Sequence, residues 1–211
     1  MNRVLVINAH PDFNSEEAYS INVLNHFKQT LKNIDSSVEI EQINLYNEEI
    51  PNVDSTVLSA WSKLREGVQL NSEEARKIER MNEILKQFKD IKQYVIALPL
   101  HNFNIPSKLK DYMDNIMIAR ETFKYTENGS VGLLYDERKL LVIQASGSIY
   151  TNNDWYTEVE YAHKYLKSMF NFMGVEDYQI IRAQGTALLK REEILANAYK
   201  EADEAAKSFA K

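Results

Sequence analysis

The chain has 211 residues, of which 44% are hydrophobic and 27% charged, and its net charge is -6. These values are typical of an ordinary globular protein, and we expect one domain spanning residues 1–211. The negative charge and the lack of a basic block argue against nucleic acid as a partner. Because cysteine is absent, disulfides, thiolate metal sites and cysteine nucleophiles are excluded.

The N-terminal segment MNRVLVINAH predicts a strand running into a loop. It lacks the long apolar core of a secretory signal peptide. No apolar stretch approaches the roughly 20 residues that a membrane-spanning helix needs. We therefore expect a cytoplasmic protein without a membrane partner.

The first half of the chain alternates short β-branched runs with stretches of helical spacing. Residues 4–7 are apolar throughout, which suits a strand buried on both faces. Residues 51–69 have no clean period, and we interpret them as an excursion from the sheet. The elements predicted in chain order are a strand at 4–7, a helix at 18–31, a strand at 38–45, a helix at 72–88 with Ser72 as its N-cap, and a strand at 94–98.

The second half continues this alternation. Pro106 suits the first turn of a helix, Asn128-Gly129 is a strong hairpin dipeptide, and Gly174 suits a helix end. The predicted elements are a helix at 107–118, a hairpin at 125–134, a strand at 140–143, a helix at 159–173, a strand at 178–181 and a helix at 191–210. Five strands alternating with helices predict an α/β three-layer sandwich, a five-stranded parallel sheet with helices on both faces.

In such sheets ligands bind beyond the carboxyl ends of the strands. The loop after the first strand, NAHPDFNSEEAYS, precedes a helix whose free N–H groups can hold a phosphate, and Ser20 can add a hydroxyl. The alternative is that Ser15 simply caps the helix. Glu16 and Glu17 would repel a phosphate, so they must point away if the site is real. No dinucleotide-binding or P-loop glycine motif is present.

Two further loops have the polarity of a binding site. PLHNFNIP follows the third strand, and its Asn102 and Asn104 offer amide donors and acceptors on either side of the flat Phe103 ring. QASGSIY follows the fourth strand and contains Gly147, where a ligand can approach the backbone closely. The alternatives are an ordinary asparagine turn and a flexible serine-glycine turn.

Other catalytic constellations are missing from the sequence. The histidines at 10, 26, 101 and 163 form no metal-binding spacing, and we expect no metal site; His26 and His163 suit structural or solvated positions. No serine-hydrolase elbow is present. The apolar helical stripe at 109, 112, 113 and 116 is typical of a core, but it could also contact a second subunit.

The segments PLHNFNIPSKLKDYMDNI and TFKYTENGSVGLL, together with RVLVINAHP, AYSINVL and VEIEQINLYNEEIP, resemble the FMN-dependent NADH-azoreductase family, relatives of the quinone reductases. The resemblance runs from about residue 3 to residue 205. It implies a flavodoxin-like fold, non-covalent FMN, NADH as electron donor and a homodimer with a site at each subunit interface. It also implies ping-pong reduction of a small-molecule quinone or azo acceptor.

The family's binding positions map onto three segments of this chain. The implied phosphate contacts are Ala18, Tyr19 and Ser20. The implied ring contacts are Leu100, His101, Asn102, Phe103, Ala145, Ser146, Gly147 and Ser148. The implied substrate pocket includes Asn104, Phe123 and Tyr125, with residues 51–69 and the hairpin as walls. Ala18 replaces a serine common in part of the family, His101 a frequent tyrosine and Ser148 a frequent glycine.

Two other functions fit the same sequence. One is a flavodoxin-type electron carrier, which binds FMN but turns over no organic substrate. The other is a non-enzymatic, flavodoxin-like regulatory subunit.

Overall fold

The computed structural model describes residues 2–211. The strands and helices follow one another as β1 (Arg3–Asn8), α1 (Tyr19–Ile34), β2 (Glu39–Asn44), α2 (Ser55–Glu66), α3 (Ser72–Asp90), β3 (Gln93–Pro99), α4 (Ser107–Ile116), β4 (Phe123–Thr126), β5 (Gly129–Gly132), β6 (Lys139–Ser146), α5 (Trp155–Glu158), α6 (Tyr161–Met173), β7 (Asp177–Gln184) and α7 (Arg191–Phe209).

Within residues 2–211, the main sheet has five strands in the order β2-β1-β3-β6-β7, and every pair in it is parallel. The chain first moves outward from β1 to β2 and then returns to the other side of β1 as β3. This reversal makes the β1–β3 gap the switch point of the sheet, where the connections leave on opposite faces. The five-stranded parallel sheet predicted from the sequence is confirmed.

Alternate residues of the central strands enter two separate cores. Leu5 and Ile7 of β1 pack with α3, α4 and α6 on one face, whereas Val4 and Val6 pack with α1 and α7 on the other. The side-chain period of two along a strand produces this division. The prediction that the first strand is buried on both faces is confirmed, and the molecule has the expected three layers.

The apolar stripe on α4 belongs entirely to one of these cores. Leu109, Tyr112, Met113 and Ile116 are all fully buried against the chain's own sheet and neighbouring helices. The idea that this stripe contacts a second subunit is wrong, because no surface of it remains for a partner.

Residues 51–69, interpreted as an excursion from the sheet, contain the regular helix α2. Asp54 caps its start by accepting from the Val57 N–H, and Gly67 ends it in the left-handed conformation. Lys63 of α2 lies 2.8 Å from the Glu74 carboxylate of α3. The Lys63 ammonium and the Asn71 backbone N–H lower the pKa of Glu74 to about 2.

The helix ends follow local capping chemistry. Asn71, rather than the predicted Ser72, is the N-cap of α3, because its side chain and that of Glu74 form a reciprocal capping box. Gly174 ends α6 in the left-handed conformation, as predicted. Asn128-Gly129 joins β4 to β5 in the predicted hairpin. No helix within residues 2–211 combines the length and apolar character needed to cross a bilayer.

Candidate functional site

Three loops meet at the carboxyl edge of the sheet, beside the switch point. The loops follow β1, β3 and β6, which are neighbouring strands. Backbone bonds join their bases, because the Ala9 N–H donates to the Ala97 carbonyl at 2.8 Å and the Leu100 N–H to the Ala145 carbonyl at 2.8 Å. The topology therefore brings together the three segments that the sequence predicted to form one site.

The first loop ends at an open helix terminus. Ala18 is the N-cap of α1 and offers no side-chain capping bond, and the first turn, residues 19–22, contains no acidic side chain. The Ser20 hydroxyl is fully buried and has no hydrogen-bond partner among residues 2–211. Because a buried hydroxyl without a partner is costly, this position fits an anion that accepts from it. The residues present fit the phosphate of FMN.

The two acidic residues before this helix lie at the surface. Glu16 and Glu17 are exposed, and their backbone carbonyls accept from the Arg191 guanidinium at 3.4 and 2.7 Å. Ser15 does not cap α1, since the helix begins at Tyr19 with Ala18 as its N-cap. The alternative interpretation of this loop, that Ser15 caps the helix, is therefore wrong.

The second loop is a tight, strained turn. His101 and Asn104 exchange backbone N–H to carbonyl bonds of 2.9 and 2.8 Å. Asn102 and Phe103 lie between them with positive φ angles of 46° and 67°. Asparagine adopts this region readily, but a phenylalanine there is rare and strained. The turn holds the Phe103 ring in a fixed direction at the edge of the site.

Contacts from the α5–α6 region hold this turn in place. The Ala162 N–H, in the first turn of α6, donates to the Phe103 carbonyl at 3.1 Å. The Trp155 ring meets the Phe103 ring edge-to-face, with centroids 5.3 Å apart. Trp155 is nevertheless 60% exposed, so it adds flat apolar surface beside the turn.

The third loop is held by the residues after β7. The Thr186 and Ala187 N–H groups donate to the Ser146 and Gly147 carbonyls at 3.1 and 3.2 Å. Among residues 2–211, a Cβ added at Gly147 would meet only the Ala187 Cβ, at 4.0 Å. The protein's own packing therefore does not require glycine here, which leaves the approach of a ligand as a reason for it.

A buried ion pair lies beneath this loop. Glu160, the N-cap of α6, accepts from Arg182 Nε and Nη2 at 2.7 and 2.9 Å and from Gln144 Nε2 at 2.8 Å. Nearby, His163 contacts the Tyr178 hydroxyl at 2.9 Å. Burial lowers the pKa of His163 and raises that of Tyr178, which favours neutral side chains in both. The Glu160–Arg182 pair, with Gln144, links the start of α6 to β6 and β7. The same helix start hydrogen-bonds to the Phe103 carbonyl.

The residues assigned to the substrate pocket are divided between two places. Asn104 is exposed at the end of the strained turn. Phe123 and Tyr125 lie on the β4–β5 hairpin, where Phe123 is only 8% exposed and packs on Phe172, whereas Tyr125 is 73% exposed. Of the two hairpin residues, Tyr125 is the one that presents a face to a ligand.

A polar cavity of about 670 Å³ is lined by the first loop, by α1 and by the ends of β1 and β2. Its lining includes Lys28 and Gln42, but also Glu16 and Glu17. Ala18, Tyr19 and Ser20 are not part of that lining. The cavity therefore adjoins the start of α1 through Ile21 and Asn22, but its lining does not include the three residues that fit a phosphate.

Sequence patterns did not reveal three residues that shape the site. Trp155, Glu160 and Arg191 are far in sequence from the loops they contact, and none belongs to a recognisable motif. The capping aspartate Asp154 was a local signal for the short helix that carries Trp155. Among residues 2–211, no cluster of three or more potential metal ligands occurs.

The strand order, with three polar loops at the carboxyl edge beside the β1–β3 switch point, defines a flavodoxin-like protein. A family model described as "Flavodoxin-like fold" matches residues 2–206, and the chain belongs to this family.

Its relatives include an FMN-dependent NADH:quinone oxidoreductase 1 of Bacillus cereus. That protein is 65% identical over 211 residues, which cover 100% of this chain and 99% of the relative. A protein of the same name from Lactiplantibacillus plantarum is 46% identical over 187 residues, covering 88% of this chain and 87% of the relative.

A similar fold occurs in the crystal structure of an FMN-dependent NADH-azoreductase from Bacillus anthracis str. Ames Ancestor in complex with FMN. The two structures agree with a TM-score of 0.98 at 64% identity, over 100% of both chains. An azoreductase from Bacillus anthracis str. Sterne has a TM-score of 0.90 at 31% identity, covering 99% of this chain and 100% of that one.

Proposed function

We propose that this chain is an FMN-dependent NADH:quinone oxidoreductase that also reduces azo compounds. The observation that carries the proposal is the buried, unpartnered Ser20 hydroxyl at the open start of α1, beside two loops suited to a flavin ring. Relatives with this name cover the whole chain at 65% identity, which supports the same function.

The phosphate of FMN is assigned to the first turn of α1. The backbone N–H groups of Ala18, Tyr19 and Ser20 are oriented by the helix, and the partial positive charge of its N-terminus favours an anion. Because Ala18 has no hydroxyl, only its backbone can contribute. The Ser20 hydroxyl adds a buried side-chain donor.

The ring of FMN is assigned to the other two loops. The strained turn supplies the Phe103 ring and the amide of Asn102, and the third loop supplies backbone at Gly147 without a side chain in the way. The remaining ring contacts are Leu100, His101, Ala145, Ser146 and Ser148. When bound, FMN supplies the two-electron redox chemistry between NADH and the acceptor. The protein positions the reactants and excludes water, and no side chain is required as a general acid.

The acceptor is assigned to the face bordered by Asn104 and Trp155, beside the start of α6. Planar quinone or azo rings suit the exposed aromatic surface of Trp155. NADH and the acceptor use this face in turn, which gives ping-pong kinetics. Phe123 and Tyr125, in edge-to-face contact at 5.4 Å, lie by the C-terminal end of α6, so they would border such a face only in a second subunit.

The functional unit is proposed to be a cytoplasmic homodimer with one site at each interface. Since the α4 stripe is buried, the contact must use another surface. Leu58 and Leu64 of α2, 56% and 51% exposed, are candidates for this contact. A stable two-fold dimer buries roughly 2,000 Å² or more. Light scattering on dilution tests this, and a fully active monomer contradicts the shared site.

Anaerobic reconstitution tests the proposed activity. Apoprotein is loaded with FMN, freed of unbound flavin, and mixed with NADH and then a benzoquinone. We expect NADH to bleach the visible flavin absorbance and the quinone to restore it. Acid precipitation should release all the colour, because the cofactor is not covalently bound.

Two results contradict the proposal and separate its alternatives. Protein that takes up FMN but is not reduced by NADH indicates an electron carrier. Protein that stays colourless after incubation with FMN indicates a regulatory subunit. A chain carrying His26→Ala serves as a matched control, because His26 bonds Asp203 between α1 and α7, away from the three loops.

A further inference from the structure

Arg191 of α7 hydrogen-bonds to the segment that leads into the proposed phosphate site. Its Nη1 donates to the Glu17 carbonyl at 2.7 Å and its Nη2 to the Glu16 carbonyl at 3.4 Å. Its Cζ lies 4.5 Å from the centre of the Tyr19 ring, in a cation–π contact. One side chain from the far end of the chain thus contacts three residues around the start of α1.

These contacts fix the direction of the backbone donors. In a planar trans peptide the carbonyl of one residue and the N–H of the next point in opposite directions. Since the Glu17 carbonyl points to Arg191, the Ala18 N–H points away from it. The Glu16 carbonyl fixes the Glu17 N–H in the same way. The arginine also keeps two carbonyl oxygens from turning toward a phosphate, which they would repel.

We infer that Arg191 is a positioning residue for the phosphate of FMN, acting through the carbonyls of Glu16 and Glu17 and the ring of Tyr19. This inference rests on the proposed FMN site. Arginine suits the role because its rigid fork donates two bonds at once, while lysine donates from a single point. The residue discriminates the phosphorylated cofactor from its unphosphorylated form, riboflavin.

The affinities for FMN and riboflavin, measured by flavin fluorescence titration of the apoprotein, test this role. Arg191→Met should raise the Kd for FMN about tenfold and leave the Kd for riboflavin within about twofold. Arg191→Lys should raise the Kd for FMN about threefold and leave that for riboflavin unchanged, because lysine restores the charge but not both hydrogen bonds. The neighbouring exposed Lys190→Met, which removes the same charge, should change neither value by more than about twofold.

The outcomes separate this inference from the proposed function. The positioning role is overturned if the Arg191 variants lose affinity equally for FMN and riboflavin, or lose affinity for neither ligand. The proposed FMN site would remain intact in both cases. An equal effect of Lys190→Met on FMN overturns it as well, because bulk charge then explains the result. Failure of the wild-type chain to bind FMN contradicts the proposed function itself. If Arg191→Met does not fold, Arg191→Lys provides the same comparison.

Discussion

Phe103 is the residue at which backbone strain and a ring contact are expected to offset each other in the stability of the fold. Its φ of 67° places a bulky side chain in the left-handed region, and its ring is held by Trp155 at 5.3 Å. Replacing it by alanine keeps the strained backbone and removes the ring. Replacing it by glycine removes both the ring and the strain.

The sizes of these terms decide the expected order of stability. The left-handed conformation costs a non-glycine residue roughly 1–2 kcal/mol, and the edge-to-face contact contributes about 0.5–1.5 kcal/mol. The two effects nearly cancel in Phe103→Gly, so its apoprotein should stay within about 1 kcal/mol of wild type. Phe103→Ala should lose about 1 kcal/mol. Both should raise the Kd for FMN about tenfold, since both lose the same face contact.

Urea unfolding of the apoproteins and fluorescence titration with FMN measure the two quantities separately. His26→Ala is the control, because it loses the Asp203 bond and the stacking on Tyr199 and should be less stable, with an unchanged Kd for FMN. The reasoning is refuted if Phe103→Ala binds FMN as tightly as wild type. It is also refuted if Phe103→Gly is the less stable of the two variants.

Four further substitutions have definite expected results. Glu160→Gln removes the carboxylate charge that pairs with Arg182. It should lower the free energy of unfolding in urea titration by about 3 kcal/mol, near the low end for buried pairs because Arg182 is 21% exposed. An unchanged unfolding midpoint would contradict this. Because the pKa of Glu74 is lowered to about 2, its ionised carboxylate stabilises the fold fully above pH 4.5. This stabilisation is lost as the pH falls toward about 2. Glu74→Gln should therefore melt below wild type at neutral pH, with a gap that closes in acid, and a gap constant with pH would exclude the mechanism. A Cβ at Gly132 would overlap the Met173 backbone, so Gly132→Ala should lower the free energy of unfolding by about 1–3 kcal/mol. Gly147→Ala should leave the stability of the apoprotein unchanged and weaken FMN binding. A Gly147→Ala protein less stable than Gly132→Ala would be inconsistent with the packing.

The parallel pairing of the five strands, and the position of the three loops at one edge of the sheet, could be predicted from the sequence. Strands such as β1 and β6 are apolar on both faces, and parallel strands place their carboxyl ends on one edge. Local signals also placed the Asn128-Gly129 hairpin and the Gly174 helix end correctly. These features depend on nearby residues or on topology alone.

Helix α2 was missed because its apolar residues do not share one face. Val57 and Ala60 are buried, while Leu58 and Leu64 are exposed, so the helical period is obscured. The capping residues Asp54 and Gly67 remained as signals of its ends. The burial of the α4 stripe could not be decided either, since a core helix and an interface helix have the same spacing.

Long-range contacts account for what sequence patterns could not supply at the site. Arg191 reaches Glu17 across 174 positions, and Arg182 reaches Glu160 across 22. Such pairs arise from the packing of whole elements and leave no local spacing to detect. The strained φ at Phe103 was equally hidden, because phenylalanine is not a residue that predicts a left-handed turn.

Hydrogen–deuterium exchange of the apoprotein and the FMN-loaded protein is the most direct test of the three-loop site. We expect FMN to slow amide exchange in the peptides that contain residues 18–20, 100–104 and 145–148, with little change around Lys28 and Gln42. Protection confined to the cavity lined by Lys28 and Gln42, or absent from all three loops, would contradict the assignment.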